Sequence, residues 1–241
     1  VRNGNTTYLQ HINHNMSFID VMIGKLAPHN CLGCDTEGSL LCSPCQSSLP
    51  PAADCCFNCQ RYSPGGLTCS ACSADSDLRL VRSAVSYQGT AKQLVWKLKF
   101  AGAQQAAQAM ATCMLPLLPV NCGERILVVS VPTATTRVRQ RGYNQARLLA
   151  RQLALQAGLP WIDCLARDGQ AHQVGAGREQ RLSQLQTAFR VTQQRFVRSA
   201  HIILVDDVVT TGATLQATAS ALMVAGAARV DGLTFARSTM K

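Results

Sequence analysis

The sequence predicts an α/β fold, a parallel sheet flanked by helices, preceded by a small cysteine-rich module. Three observations carry that expectation. Two short runs, Ile126–Val131 and Ile202–Val205, are continuously apolar, as strands buried on both faces must be. The order strand, helix, strand, helix, strand from residue 124 onward implies parallel pairing through crossovers. Nine of the 12 cysteines fall between Cys31 and Cys72, joined by short polar links. With 241 residues, 47% hydrophobic and 15% charged, the chain has the length for one full domain and an appendage or for two ordinary domains, and its composition argues against general disorder.

Residues 1–30 are polar, with clustered Asn and His, and are expected to form a flexible extension, with Met16 as an alternative start. His11 and His14 have a ligand spacing but read as tail histidines. Residues 31–75 form the cysteine module and residues 80–241 the α/β domain. Val81–Tyr87 alternates and reads as a strand closed by Gln88-Gly89. Thr90–Phe100 reads as a helix, with Leu94, Val95 and Leu98 on one face and Lys92, Lys97 and Lys99 around the other. Ala103–Leu118 is a second helix, ended by Pro119. A polar loop follows the first buried strand. Asn144–Ala157 is then a helix with Gly158 past its end. The second buried strand, Ile202–Val205, runs into Asp206-Asp207 and a Thr/Gly loop. A helix over Ala213–Ala225, closed by Gly226, and a strand over Val230–Ala236 complete the order.

Charge is unevenly spread. The net +10 is the sum of −2 over residues 1–80 and +12 over residues 81–241. Between Arg137 and Arg198 stand 11 arginines, three acids and no lysine. Arginine's planar fork suits phosphate oxygens, so a polyanionic ligand is expected, with nucleic acid, pyrophosphate and a sugar phosphate all open. Aromatic residues make up only 5%, which argues against a stacking platform for single-stranded nucleic acid. The apolar runs are too short to span a bilayer.

The cysteines form four C-x-x-C pairs: Cys31/Cys34, Cys42/Cys45, Cys56/Cys59 and Cys69/Cys72. Each pair can present two thiolates to a tetrahedral Zn²⁺, so the eight can hold up to two structural ions. Sequential pairing, Cys31, Cys34, Cys42 and Cys45 for one ion and Cys56, Cys59, Cys69 and Cys72 for the other, is favoured, and cross-braced pairing is also compatible with the spacing. Cys55 is spare, and Cys113, Cys122 and Cys164 read as core thiols. No signal peptide precedes the module, so a reduced, cytoplasmic setting is expected rather than a disulfide framework.

The stretch Asp206, Asp207, Val208, Val209, Thr210, Thr211, Gly212, Ala213, Thr214 places two carboxylates at a strand end and a hydroxyl-rich turn at a helix N-terminus. Backbone N–H groups there, with the positive end of the helix dipole, make an anion cradle. The adjacent acids would repel a phosphate, so they suit ribose hydroxyls one sugar away.

That stretch resembles the phosphoribosyl-pyrophosphate (PRPP) signature of type I phosphoribosyltransferases. Arg137–Gln145 after Val131-Pro132, Tyr87 followed by Leu98-Lys99-Phe100, and the four cysteine pairs narrow the resemblance to the ComF family, including GntX-type proteins. It covers roughly residues 31–237, and implies a phosphoribosyltransferase-like sheet behind a double zinc ribbon. By that resemblance, Asp206 and Asp207 hold the ribose hydroxyls and act catalytically. Val208–Thr214 holds the 5′-phosphate, and Arg137, Arg139 and Arg141 meet the pyrophosphate with Mg²⁺. Ala171–Phe189 would be a lid, with Gln173, Arg178 and Arg181 as contacts and His172 a solvated histidine; Gln184 departs from the Asn that family members carry there.

The resemblance also implies a link to DNA uptake and utilisation, with PRPP, single- or double-stranded DNA and DNA-uptake proteins as partners and no membrane insertion. Three roles follow: a pentosyl transferase with an unnamed acceptor, a PRPP sensor without turnover, or a DNA-binding accessory.

Overall fold

A computed structural model describes residues 30–100, 103–119, 125–167 and 188–238. Its centre is a four-stranded, wholly parallel sheet in the order β1 (Leu78–Ser86), β6 (Arg229–Arg237), β5 (His201–Val209), β2 (Ile126–Ser130). Every residue of β2 is buried, as its unbroken apolar run requires.

Alternate residues of the central strands feed two cores. Ile126, Val128, Ile203, Val205, Leu233 and Phe235 pack on one face. They meet α3 (Gly89–Phe100), α4 (Ala103–Met114) and α6 (Gln145–Ala157). Leu127, Val129, Ile202, Leu204 and Val230 pack on the other, against α8 (Ala213–Val224). A short antiparallel hairpin, β3 (Leu165–Arg167) with β4 (Phe189–Val191), leads through α7 (Gln194–Val197) into β5. At the N-terminal ends of the strands, Arg79 grips Asp231 through two bonds of 3.0 and 2.6 Å. Arg229 lies 2.9 Å from His201 Nδ1; an arginine only donates, so Nε2 carries the imidazole proton and donates to Asp231 at 2.8 Å. The network ties β1, β6 and β5 together.

The cysteine module covers the edge of this sheet. Ser86 N–H donates to the Pro50 carbonyl (2.8 Å) and Thr68 N–H to the Arg79 carbonyl (2.9 Å), so residues near 50 and 68 occupy the outer edge of β1. An otherwise unpaired edge strand is thereby closed. The module is built twice over. Each half has a tight knuckle followed by a helical turn, α1 (Ser43–Ser47) or α2 (Ser70–Ser73). The knuckles close alike: Asp35 N–H donates to the Cys31 carbonyl and Gln60 N–H to the Cys56 carbonyl, with Asp35 and Gln60 at φ 61° and 62°. Leu32 of the first half packs on the α3/α4/α6 side, and Phe57 of the second on the α8 side.

The sequence places most elements within a few residues, and three differ for physical reasons. The helix expected over Ala103–Leu118 ends at Met114 and tightens into a 3₁₀ turn, because Pro116 removes an amide the helix would need. The polar loop after β2 contains a helix, α5 (Thr135–Arg141), closed by Gly142 at φ 78°. The strand expected over Ile202–Val205 continues to Val209, so the acidic pair lies inside β5. The expected extension lies outside the described residues, except for Asn30, and so do Cys122 and most of the expected lid. Among the described residues, no helix is long and apolar enough to cross a membrane.

Asn144 is the N-cap of α6: its Oδ1 accepts from Arg147 N–H (3.1 Å) and from the Thr133 hydroxyl (3.0 Å). Asn144→Ala is expected to cost about 1 kcal/mol of stability. Urea denaturation checks this, and an unchanged midpoint would contradict the capping role.

Candidate functional site

β5 outruns its neighbour β2. The last β2–β5 pair is Ser130 with Val205, and residues beyond it pair with β6 alone. The acidic pair therefore stands beside an open sheet edge at the C-terminal end of parallel strands, where ligands of open α/β sheets bind. Asp207 is 6% exposed, so its charge needs compensation. Lys99, in the last turn of α3, supplies it at 2.9 Å. Asp206 is half-buried. Burial first, then the Asp207 carboxylate, push its carboxyl well above the usual aspartate value of 3.8, against the Asp207 N–H and Lys99. The pair's own backbone folds back on it: Asp207 N–H donates to Asp206 Oδ1 and Val208 N–H to Asp207 Oδ1, each at 2.9 Å.

Thr210 and Thr211 follow as an exposed turn, and Gly212, at φ 75°, is the N-cap of α8. Gly212 also has no room for a side chain: a Cβ there would overlap the Phe57 ring. The first amides of α8 lack intrahelical acceptors, which is the property an anion needs. Ala213 N–H already has a partner in the Thr211 hydroxyl, at 3.4 Å. The acids, Thr210, Thr211, Gly212 and Thr214 are thus contiguous at one end of the sheet.

The arginines are arranged differently from the expectation of a convergent loop. Arg139 and Arg141 stand two residues apart on α5, roughly 200° around the helix. Arg139 is exposed, whereas Arg141 stacks its guanidinium 5.3 Å from the Phe100 ring and keeps one buried nitrogen without a hydrogen-bond partner. Arg137 also belongs to α5; its side chain lies outside the description. The rest of the Arg141–Gln145 motif is a joint. Gly142 ends α5, Asn144 starts α6, and the Tyr143 hydroxyl donates to the Leu98 carbonyl at 2.7 Å.

Sequence reasoning missed Lys99 by assigning it to the outer face of its helix. Leu98, Lys99 and Phe100 take three roles in consecutive positions: core packing and an acceptor for Tyr143, the partner of Asp207, and the platform under Arg141. Their placement beside Tyr87 in the resemblance was the available signal. Gln173, Arg178, Arg181, His172 and Gln184 lie outside the described residues; β3 and β4 bracket their segment.

The structure decides the cysteine pairing. Cys31, Cys34, Cys42 and Cys45 gather their sulfurs within 4.8 Å of one another, and so do Cys56, Cys59, Cys69 and Cys72. Sulfurs of Cys31 and Cys42 are 3.5 Å apart, those of Cys34 and Cys42 3.6 Å, and those of Cys59 and Cys69 3.6 Å. A tetrahedral zinc with bonds of about 2.3 Å has an edge of about 3.8 Å, so the donor sets fit that ion. The first thiol of each set ionises readily. Burial opposes this, but backbone amides offset it and bring Cys31 and Cys56 down to about 6. The last resists, as neighbouring thiols push Cys45 and Cys72 up to about 12. Four thiolates therefore need a dication at their centre. Cys55 stands outside both sets, with its thiol 3.7 Å from Gln60 Oε1, and burial raises Cys113 to about 11 and Cys164 to about 12, as inert core thiols require.

No family model matches the chain. A DNA utilization protein of Salmonella typhi is 32% identical over 205 residues, covering 79% of this chain and 87% of that protein. The chain belongs to the ComF family. The competence protein ComFC of Bacillus subtilis is 31% identical over 163 residues, covering 67% of this chain and 65% of that ComF protein. Two solved structures align with 54% of the chain: an allosteric regulatory enzyme of purine biosynthesis and the glutamine PRPP amidotransferase of Bacillus subtilis. They cover 25% and 26% of those chains, with 16% and 14% identity and TM-scores of 0.39 and 0.40; likeness at that level decides nothing by itself. The observed class, a parallel sheet flanked by helices with two four-cysteine clusters ahead of it, is the one the ComF resemblance implies.

Two outcomes follow. Elemental analysis is expected to find two zinc ions per chain, and Cys45→Ser or Cys72→Ser to reduce this to one; well under one in undamaged protein would contradict the fit. Asp206, with its folded pKa above 3.8, is destabilising once pH rises through that value. Asp206→Asn should therefore raise the Tm of the ligand-free protein at about pH 7 and flatten its decline with pH; a lower Tm at that pH would refute the assignment.

Proposed function

We propose that this ComF protein binds Mg-PRPP at the C-terminal end of β5 and acts as a phosphoribosyltransferase in the use of external DNA. One observation carries the reading. An acidic pair on an inner buried strand, one member of it paired with Lys99, is followed within five residues by a glycine-capped helix N-terminus. The acids suit the two hydroxyls of a ribose, and the 208–214 loop suits a 5′-phosphate one sugar away. The names of the relatives, a DNA utilization protein and a competence protein, supply the setting.

Transfer would break the bond between ribose C1 and pyrophosphate as an acceptor attacks C1. The electron pair leaves with pyrophosphate, and positive charge builds on the ring. Mg²⁺ carried by the substrate would supply charge neutralisation of the leaving group. Asp206 and Asp207 would anchor the electron-poor sugar through its hydroxyls. Lys99 pairs with Asp207 and fixes its direction. Arg139 and Arg141, on the helix that follows β2, would meet the pyrophosphate, and Arg141's unpartnered nitrogen suits a phosphate oxygen.

Calorimetric titration with Mg-PRPP tests the reading. Wild type should bind, and Asp206→Asn or Asp207→Asn should weaken binding by roughly 10- to 100-fold, the range for hydrogen bonds to charged groups. Failure of the wild type to bind would overturn it. Salt-dependent DNA binding, indifferent to both substitutions, with no PRPP binding would replace it with a DNA-binding accessory role.

A further inference from the structure

The two cysteine clusters are alike in construction but not in what they touch. The first leans on the α3 side, where Leu32, Leu40 and Leu41 join the core under α3, α4 and α6. The second reaches the proposed phosphate loop. Phe57 stands between Cys56 and Cys59 in the knuckle, is 3% exposed, and shares one core cluster with Val209, inside the loop, and Leu215, just after it. Its ring fills the space a Gly212 side chain would need.

A second clamp follows the last ligand pair. The Ser76 hydroxyl donates to Gln216 Oε1 at 2.9 Å, Gln216 Nε2 donates to the Asp75 carbonyl at 3.4 Å, and the Ser220 hydroxyl donates to the Asp77 carboxylate. Residues 75–77 thus hold the first two turns of α8, three residues downstream of Cys72. The second half of the module thus holds the N-cap and the first two turns of α8, the element whose N-terminus forms the anion cradle. Phe57 itself is fixed by its knuckle: Gln60 Nε2 donates to the Phe57 carbonyl at 2.8 Å, and Gln60 N–H closes on Cys56.

The geometry points to Phe57 as a positioning residue for the 208–214 loop, through which metal in the second cluster, and not in the first, sets the shape of the anion site. This rests on the PRPP reading for its ligand, but not for its mechanics. A tetrahedral ion would fix the Cys56–Cys59 knuckle, the knuckle fixes the ring, and the ring packs directly against Gly212. Without the ion, the knuckle has only a few hydrogen bonds to hold it, since a segment this short has little core of its own. Loss of the metal would release Phe57 and α8's first turn together. The first cluster has no comparable contact with the loop among the described residues.

Amide hydrogen exchange on the full chain, with zinc content measured in parallel, tests this independently of activity. Phe57→Ala should keep two zinc ions yet speed exchange across residues 208–216 by roughly tenfold or more. Phe57→Leu should restore most of the protection. Cys69→Ser should lose one zinc and deprotect the same residues, whereas Cys34→Ser should lose one zinc and leave them protected. Where wild type binds Mg-PRPP, Phe57→Ala should weaken it about tenfold or more, with Phe57→Leu close to wild type. Unchanged loop exchange in Phe57→Ala, or equal deprotection by both cysteine variants, would overturn the positioning role. Loss of loop protection without any PRPP binding in wild type would leave the coupling standing and refute only the ligand.

Discussion

Two adjacent acidic residues inside a largely buried strand, just past the point where its neighbour β2 stops pairing, are the constraint around which this molecule is organised. In an apolar interior, like charges on neighbouring residues repel and lack solvation, so such a pair persists only where the surroundings overrule its cost. Here the surroundings do so by halves. Lys99 neutralises Asp207, while Asp206 keeps a carboxyl that resists ionisation. The acidic pair lies just beyond the last residue of β5 that pairs with β2. Hydroxyl donors entering there would relieve the strain that folding leaves in place.

The same economy explains the joint between α3, α5 and α6. Tyr143 holds α3's last turn by its Leu98 carbonyl, which sets where Lys99 points, and Arg141 lies over Phe100 one residue further on. The polar residues after β2 therefore act on the acidic pair indirectly, by fixing the helix that compensates it. The cysteine module solves a different problem, the open edge of β1, and does so with two four-sulfur clusters set astride the sheet. Each sends one apolar residue from its first knuckle into the core on its own side, Leu32 or Phe57.

Much of this was legible in the sequence. Continuous apolar runs marked β2 and the first half of β5 because burial on both faces removes any need for polar positions. The C-x-x-C spacing marked the eight clustered cysteines but did not decide their grouping, since pairing is a matter of chain path. What escaped had little periodicity to show. Thr135–Arg141 is polar nearly throughout, so α5 read as a loop, and the three-residue strands β3 and β4 are too short to carry a pattern. The acids disguised the second half of β5, where pairing with Thr234, Ala236 and Arg237 overrides local composition. Lys99 meets Asp207 across more than a hundred residues, and no local rule connects them. The contact of Phe57 with Gly212 is hidden for the same reason.

The most direct measurement is an experimental structure of the chain with Mg-PRPP, in which phosphorus positions are located. The account places the 5′-phosphate on the amides of residues 210–214, the ribose hydroxyls on Asp206 and Asp207, and the pyrophosphate toward Arg141. A 5′-phosphate seated elsewhere, with the acidic pair still joined only to Lys99 and its own backbone, would contradict it.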